Sequence, residues 1–235
     1  MIKFENTVTP SPAQWKTIVM GMRNPMNSWA ASDSYITHIE NPETLNTADF
    51  EFVLGEKDAE LMRKLADLGP VHGKFMRMIV VYVDITAPLY WWKEFDTYKV
   101  GTVVNSCSTM HKIHAKKFTL EDFSCEHLSS DDMLIDDEFS HYANAATDCL
   151  IDTIQLLNAY REKYLETGDK NDWWQMIQLL PSSYNQKRTI KLNYEVLRNI
   201  YKYRKDHKLD EWHDFCYWVE GLPYNDILIT GGEGK

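Results

Sequence analysis

A chain of 235 residues, 44% hydrophobic and 13% aromatic, is long enough to bury about 70% of its unfolded surface in its own core, which excludes a disordered or low-complexity segment. Its 25 Lys and Arg stand against 35 Asp and Glu, a net charge of −10 with no basic arm or run, so no nucleic-acid partner is expected. No window reaches eighteen consecutive apolar residues and MIKFENTVTP is not signal-like, so the expectation is a soluble, cytoplasmic protein with no membrane partner.

In SPAQWKTIVMGMR, Ser11 stands as an N-cap with Pro12 in the first turn and Gln14 three residues on, a capping box opening a first helix. Arg23 to Tyr35, RNPMNSWAASDSY, is polar and broken by Pro25, as in a loop. EKDAELMRKLADLG, Glu56 to Gly69, has acids in its first turn, an apolar stripe and a closing glycine, the pattern of an amphipathic helix. FMRMIVVYVDI, Phe75 to Ile85, is β-branched and aromatic, as in a strand covered on both faces, and APLYWWKEFDTY follows as a helix.

Thr119 to Phe139 is acidic, EDFSCEHLSSDDMLIDDE alone holding eight acids, and is expected as a short helix in an irregular solvated stretch. From His141, apolar residues at helical spacing up to Gly168 mark the longest helix. DKNDWWQMIQLLP is a short helix stopped at Pro181, and SYNQKRTIKL a strand with Ile190 and Leu192 on one face. NYEVLRNIYKYRKDHKLDEWHDFCYWVEG gives one or two helices up to Gly221. Together these predict a single α/β domain over residues 1–235, poor in strands and dominated by helices, without repeats or linkers.

The four cysteines, Cys107, Cys125, Cys149 and Cys216, show no CxxC pairing and are expected as reduced, mostly buried thiols. Around the first lies VVNSCSTMHKIH, Val103 to His114. Cys107, His111 and His114 at i, i+4 and i+7 would share one face of a helix, as zinc requires, but no fourth ligand stands at a recognised spacing and no HExxH occurs. A Cys107/His111 dyad would need a nearby cation and a group orienting the imidazole. In the third reading Cys107 is a small buried hydrophobe and His111 a surface or capping residue. The residues of the stretch leave these alternatives open.

The segment LPSSYNQKRTIKLNYEVLRNIYKYRKDHKLDEW, from Leu180, resembles the flavin-dependent thymidylate synthases. There a Leu-Pro ends a helix, a strand follows, an asparagine twelve residues after the proline opens a helix, and an arginine lies eleven residues further; Pro181, Asn193 and Arg204 match these offsets. DAELMRKLADLGPVHGKF is similar to the family's helix and the histidine-containing stretch after it, and IVVYVDITAPLYWW to its strand leading into an Ala-Pro helix. The similarity runs roughly from Met20 to Glu220. Against the signature RHRxxSxNExSxRY the chain reads YKVGTVVNSCSTMHK, in which Asn105 and Ser108 match and His111 replaces the final tyrosine. Tyr98, Lys99 and Val100 stand for the Arg-His-Arg triplet, Ser106 for the glutamate and Met110 for the last arginine; a one-residue gap puts Lys99 at the second arginine instead.

The resemblance implies a small mixed or antiparallel sheet surrounded by helices, of the thymidylate-synthase-complementing-protein type. It implies FAD held by His72, Lys99, Asn105, Asn193 and Asn199, and a deoxyuridine monophosphate held by Ser108 and Arg204, with no metal and no assigned catalytic side chain. The implied reaction modifies C5 of the pyrimidine, with methylenetetrahydrofolate and NADPH as co-substrates, in a homotetramer whose subunits build the site together. No enzyme cysteine attacks the base in that family, which removes the motive for a Cys107 nucleophile. Two departures support the alternative of a degenerate nucleotide-binding or structural homologue. Glu195 stands where the family has arginine, beside the implied pyrophosphate, and Ile177 where an arginine commonly meets the substrate phosphate.

Each residue also has a plainer reading. Asn193 is a ready N-cap, Arg204 a surface helix charge, and Lys187 and Arg188 a solvated strand edge. Asn199 inside a helix costs about 0.6 kcal/mol against alanine, which a ligand contact or a buried hydrogen bond would explain. Trp29, Trp91 and Trp92 would stack on a ring cofactor or fill the core.

Overall fold

The computed structural model describes residues 2–39, 49–131, 133–135, 141–143 and 145–231. In chain order it runs β1 (Lys3–Val8), α1 (Pro12–Met22), β2 (Tyr35–Ile39), β3 (Asp49–Val53), α2 (Glu56–Asp67), β4 (Val80–Pro88), α3 (Leu89–Phe95) and β5 (Val103–Ser106). Then come β6 (Met133–Ile135), β7 (His141–Ala143), α4 (Ala146–Thr167), α5 (Lys170–Leu179), β8 (Asn185–Asn193), α6 (Tyr194–Arg204), α7 (Asp210–Glu220) and the short α8 (Asn225–Leu228). This is the expected mixed α/β architecture, a four-stranded sheet in the order β1-β4-β8-β5 with helices dominating. Two small antiparallel pairs accompany it: β2 with β3, where Tyr35 opposes Val53, and β6 with β7.

Local chemistry sets the helix starts. Ser11 Oγ accepts from the Gln14 amide at 3.3 Å and Gln14 Oε1 accepts from the Ser11 amide at 2.8 Å, the reciprocal box that opens α1. Asn193 Oδ1 accepts from the Val196 amide at 3.0 Å and opens α6. Helix α4, the longest among the described residues, starts at Ala146 and not at His141, because His141–Ala143 pairs in β7. Of the acidic stretch, Asp132 and residues 136–139 lie outside the described residues; its helical part among the described residues is one turn at Leu120–Asp122, boxed by Thr119 and Asp122.

The chain divides into two compact units. The first comprises residues 1–3, 85–97 and 105–188. Its apolar cluster joins Ile113, Phe118 and Phe123 to Leu150, Ile154 and Leu157 of α4 and Met176 of α5. Asn158, buried on α4, both donates to the Phe118 carbonyl and accepts from its amide at 2.9 Å, so a core polar group is satisfied by the backbone beside it. Trp91 and Trp92 are fully buried, and Arg188 lies 4.2 Å over the Trp92 ring while pairing with Asp96 at 2.8 Å. The tryptophans are therefore core, and Arg188 is a packed cation, not a solvated strand-edge charge.

The second unit comprises residues 4–84, 98–104 and 189–235. Trp15 of α1 meets Phe52, Tyr194 and Tyr224, while Val196, Leu197 and Ile200 of α6 and Trp212, Phe215 and Val219 of α7 are buried. Strand β4 does not have two covered faces: Val81 and Val83 are buried while the alternate Tyr82 is 50% exposed. An aromatic residue on the open face masked the two-residue period that the backbone imposes. Asp58 of α2 is wholly buried, its Oδ1 taking Arg23 Nε and its Oδ2 the hydroxyls of Ser32 and Ser34 and the amides of Asp33 and Ser34.

None of the four cysteines is in a disulfide, but their burial differs from expectation: Cys107 and Cys149 are exposed, Cys125 is intermediate and only Cys216 is buried. Cys107 follows directly on β5 at a rim and Cys149 faces outward on α4, so neither lies on an apolar face. Burial, with the Glu220 and Asp206 carboxylates nearby, pushes the Cys216 thiol up to about 12. Titration of the native protein with a chromogenic disulfide is expected to show Cys107 and Cys149 reacting fast and Cys216 reacting only on unfolding. Peptide mapping of the labelled sites checks it.

Candidate functional site

Helix α6 is amphipathic: Val196, Leu197 and Ile200 face the core, and Glu195, Arg198, Asn199, Lys202 and Tyr203 form the opposite stripe at i, i+3, i+4, i+7 and i+8. That stripe is one wall of a cleft of about 610 Å³ within the second unit. The end of α2 and the following turn supply the other wall through Ala66, Asp67, Gly69 and Pro70, then Met76 and Arg77, and Val100 covers one side. Val100 is held there because Gly101, at φ +81°, lets the turn pass close over the start of α6. A Cβ on Gly101 would come within 2.7 Å of Asn193 Nδ2 and 3.0 Å of Val196 Cγ2.

Two ion pairs join the walls. Arg77 Nε and Nη2 donate to Glu195 Oε2 and Oε1 at 2.6 and 2.8 Å, and Arg198 Nη2 donates to Asp67 Oδ1 at 2.7 Å. The like-charge repulsion expected from Glu195 is thus met by a cation 118 residues away in sequence. Arg198 Nη1 is buried without a hydrogen-bond partner, and Lys202 lies 5.7 Å from the Tyr203 ring centroid with no carboxylate partner among the described residues. The cleft therefore combines apolar floor residues, an exposed tyrosine, an amide and unspent positive charge.

The residues singled out from the sequence fall in several places. Asn199 is exposed in the cleft. His72 is exposed on the turn that ends the α2 wall, and Lys99 is exposed next to Val100. Asn193 is 5% exposed and spends its oxygen on the α6 cap. Arg204 lies in the last turn of α6, its Nε donating to Tyr98 Oη at 2.9 Å and its guanidinium carbon 4.7 Å from the Trp212 ring. A mere surface helix charge is not what is found there. In the first unit, Asn105 is exposed on β5 and Ser108 is exposed, its Oγ accepting from the Met110 and His111 amides at 3.3 and 2.9 Å.

The one-face geometry that a Cys107, His111 and His114 zinc site requires does not form. Val103–Ser106 is a strand, Cys107 N donates to the Lys187 carbonyl at 2.9 Å, and Ser108 turns the chain. Cys107 is also not the buried hydrophobe of the third reading. Ile177 packs against the apolar cluster of the first unit, as its side chain dictates. Sequence reasoning missed Arg77, Arg198, Lys202 and Tyr203; the polar stripe of α6 carried the signal for three of them, and nothing local marked Arg77.

No helix among the described residues is long and apolar enough to cross a membrane. No family model and no curated protein matches the chain. Solved structures do. Two of the flavin-dependent thymidylate synthase ThyX from Helicobacter pylori, with FAD and dUMP, align at TM-scores of 0.61 and 0.63 with 16% identity; one covers 98% of both chains and the other 100% of both. A UMP/dUMP methylase, PolB, from Streptomyces cacaoi bound with 5-Br dUMP aligns at 0.55 with 11% identity over 98% of this chain and 94% of its own. What this chain shares with these proteins at such identities is the fold.

Proposed function

We propose that the protein is a divergent flavin-dependent thymidylate synthase-like enzyme that binds FAD and a deoxyuridine monophosphate and modifies C5 of the pyrimidine. The observation that carries this reading is the cleft itself. It is built on the helix that follows the matched Pro181 and Asn193 offsets, and Asn199 lies on its open wall. The likeness of fold to proteins complexed with FAD and dUMP supports it. So does the donor set: Arg198, paired with Asp67 through Nη2, has a buried Nη1 with no hydrogen-bond partner among the described residues, Lys202 is a cation without a carboxylate partner among them, and Tyr203 offers an exposed aromatic face for a ring.

In this reading Arg198 and Lys202 neutralise the flavin pyrophosphate, and the Asn199 amide orients the ring system. His72, Lys99 and Asn193 make further flavin contacts. Arg204, immobilised by Tyr98 and Trp212, meets the nucleotide. A flavin held there supplies hydride transfer. Methylenetetrahydrofolate and NADPH complete the proposed set of co-substrates, in a cytoplasmic homotetramer.

The absorbance spectrum of the protein as isolated, followed by a thermal shift with FAD and dUMP, tests the binding reading. A visible flavin band, or stabilisation by added FAD, is expected; a colourless protein that FAD does not stabilise would sink it. The second reading, a degenerate nucleotide-binding or structural homologue, is favoured by one observation, the internal Arg77–Glu195 pair that consumes a bidentate guanidinium. Release of labelled thymidylate from labelled dUMP by purified protein rules that reading out.

A further inference from the structure

Arg77 and Glu195 meet fork to fork, two parallel N–H···O bonds of 2.6 and 2.8 Å on the cleft wall. This is the geometry in which a guanidinium takes a phosphoryl group. Glu195 also sits in the first turn of α6, where the helix dipole favours an anion although the Tyr194 and Val196 amides are already taken by the Ile79 carbonyl and Asn193 Oδ1. One carboxylate thus uses both features a phosphate would seek in this cleft. The pair is partly open to water, at 50% and 28% side-chain exposure, so water screens it and it is weakly held. Past it on the same helix face come Arg198, paired with Asp67 through Nη2 and with a buried Nη1 that has no partner among the described residues, and Lys202.

We propose that Glu195 is a tethered anion that occupies the phosphoryl seat of the cleft, so that a phosphorylated ligand binds only by displacing it from Arg77. The displaced carboxylate stays anchored to α6 within a few ångströms of the incoming charge, and like-charge repulsion lowers affinity most for ligands of highest charge. Glu195 therefore sets the cleft's selectivity: a pyrophosphate diester such as that of a dinucleotide is tolerated better than free pyrophosphate or a terminal phosphate. The inference rests on the reading that the cleft takes a phosphorylated ligand, and it concerns how that ligand is admitted.

Calorimetric titration of inorganic pyrophosphate into the wild-type protein, Glu195→Gln and the double variant Arg77→Gln/Glu195→Gln, at one low ionic strength, tests it. Glu195→Gln is expected to bind at least about tenfold more tightly than wild type, and the double variant no more tightly than wild type. No gain in Glu195→Gln, or a gain that survives loss of Arg77, overturns the proposal. Glu195→Ala, in the same titration, is expected to reproduce the gain and stands in if the amide variant does not fold. Wild-type protein that takes up FAD while Glu195→Gln shows no gain rejects the tethered anion and leaves the flavin reading intact. A gain in Glu195→Gln beside a wild type that takes up no FAD does the reverse.

Discussion

Replacing Asp58 by alanine is expected to lower the unfolding free energy by about 3–5 kcal/mol, because it leaves the Arg23 guanidinium buried and unpaired. Arg23 is only 4% exposed and Asp58 not at all, so neither can turn to water. The loss goes beyond one ion pair, since Asp58 Oδ2 is also the acceptor for the Ser32 and Ser34 hydroxyls and the Asp33 and Ser34 amides. Those donors bind residues 32–34, just before β2, to α2. Asp58→Asn keeps the shape but turns an NH2 group toward one set of donors, and is expected to cost a large part of the same amount. Urea denaturation of the two variants against wild type measures it.

The same cluster predicts a pH response. Burial alone would push the Asp58 carboxyl up, but hydrogen bonds from Ser34, Ser32 and Arg23 outweigh it and hold the folded group below its ordinary 3.8. A carboxyl whose folded pKa is depressed contributes stability that is present above its unfolded pKa and is lost as pH falls through the folded one. Wild-type stability should therefore drop below about pH 4 with a slope that Asp58→Asn lacks. Parallel slopes in the two proteins would show that other carboxylates govern acid unfolding.

Helices were legible where the sequence stated their ends: the Ser11–Gln14 box, the Asn193 cap and the Gly168 stop are all found. Strands β1 and β2–β3 were not expected: β1 and β3 mix charged and apolar residues, and β2, YITHI, is a short run beside a loop-like stretch that only its pairing with β3 defines as a strand. The same physics explains the site. The α6 stripe is a local, 3.6-period fact and could be read directly; the pairing of Glu195 with Arg77 spans 118 residues and could not. Glu195 alone looked hostile to phosphate, and only tertiary structure shows that its charge is answered. The cysteines failed for a related reason, because residue type gives an average tendency to burial while Cys107 follows a strand whose flanking residues are exposed.

Under the proposed nucleotide role of Arg204, Arg204→Lys is expected to weaken dUMP binding by about 10–100-fold, the worth of one or two charged hydrogen bonds, although the formal charge is unchanged. The guanidinium is held by geometry that an ammonium cannot copy: Nε donates to Tyr98 Oη, and the planar group lies against Trp212, which is fully buried and itself fixed by Phe215. Lysine would keep the cation but lose both restraints, so its charge would wander over several rotamers. Tyr98→Phe removes only the oxygen acceptor, and its loss should stay below about tenfold. Calorimetry with dUMP gives the affinities and thermal midpoints without ligand give the structural share. If Arg204→Lys lowers the midpoint yet binds dUMP as wild type does, Arg204 is a strut between α6 and α7 and the nucleotide contact lies elsewhere. If the affinity falls while the midpoint moves little, the aromatic seat serves the ligand, because orientation, and not charge alone, is what the substitution removed.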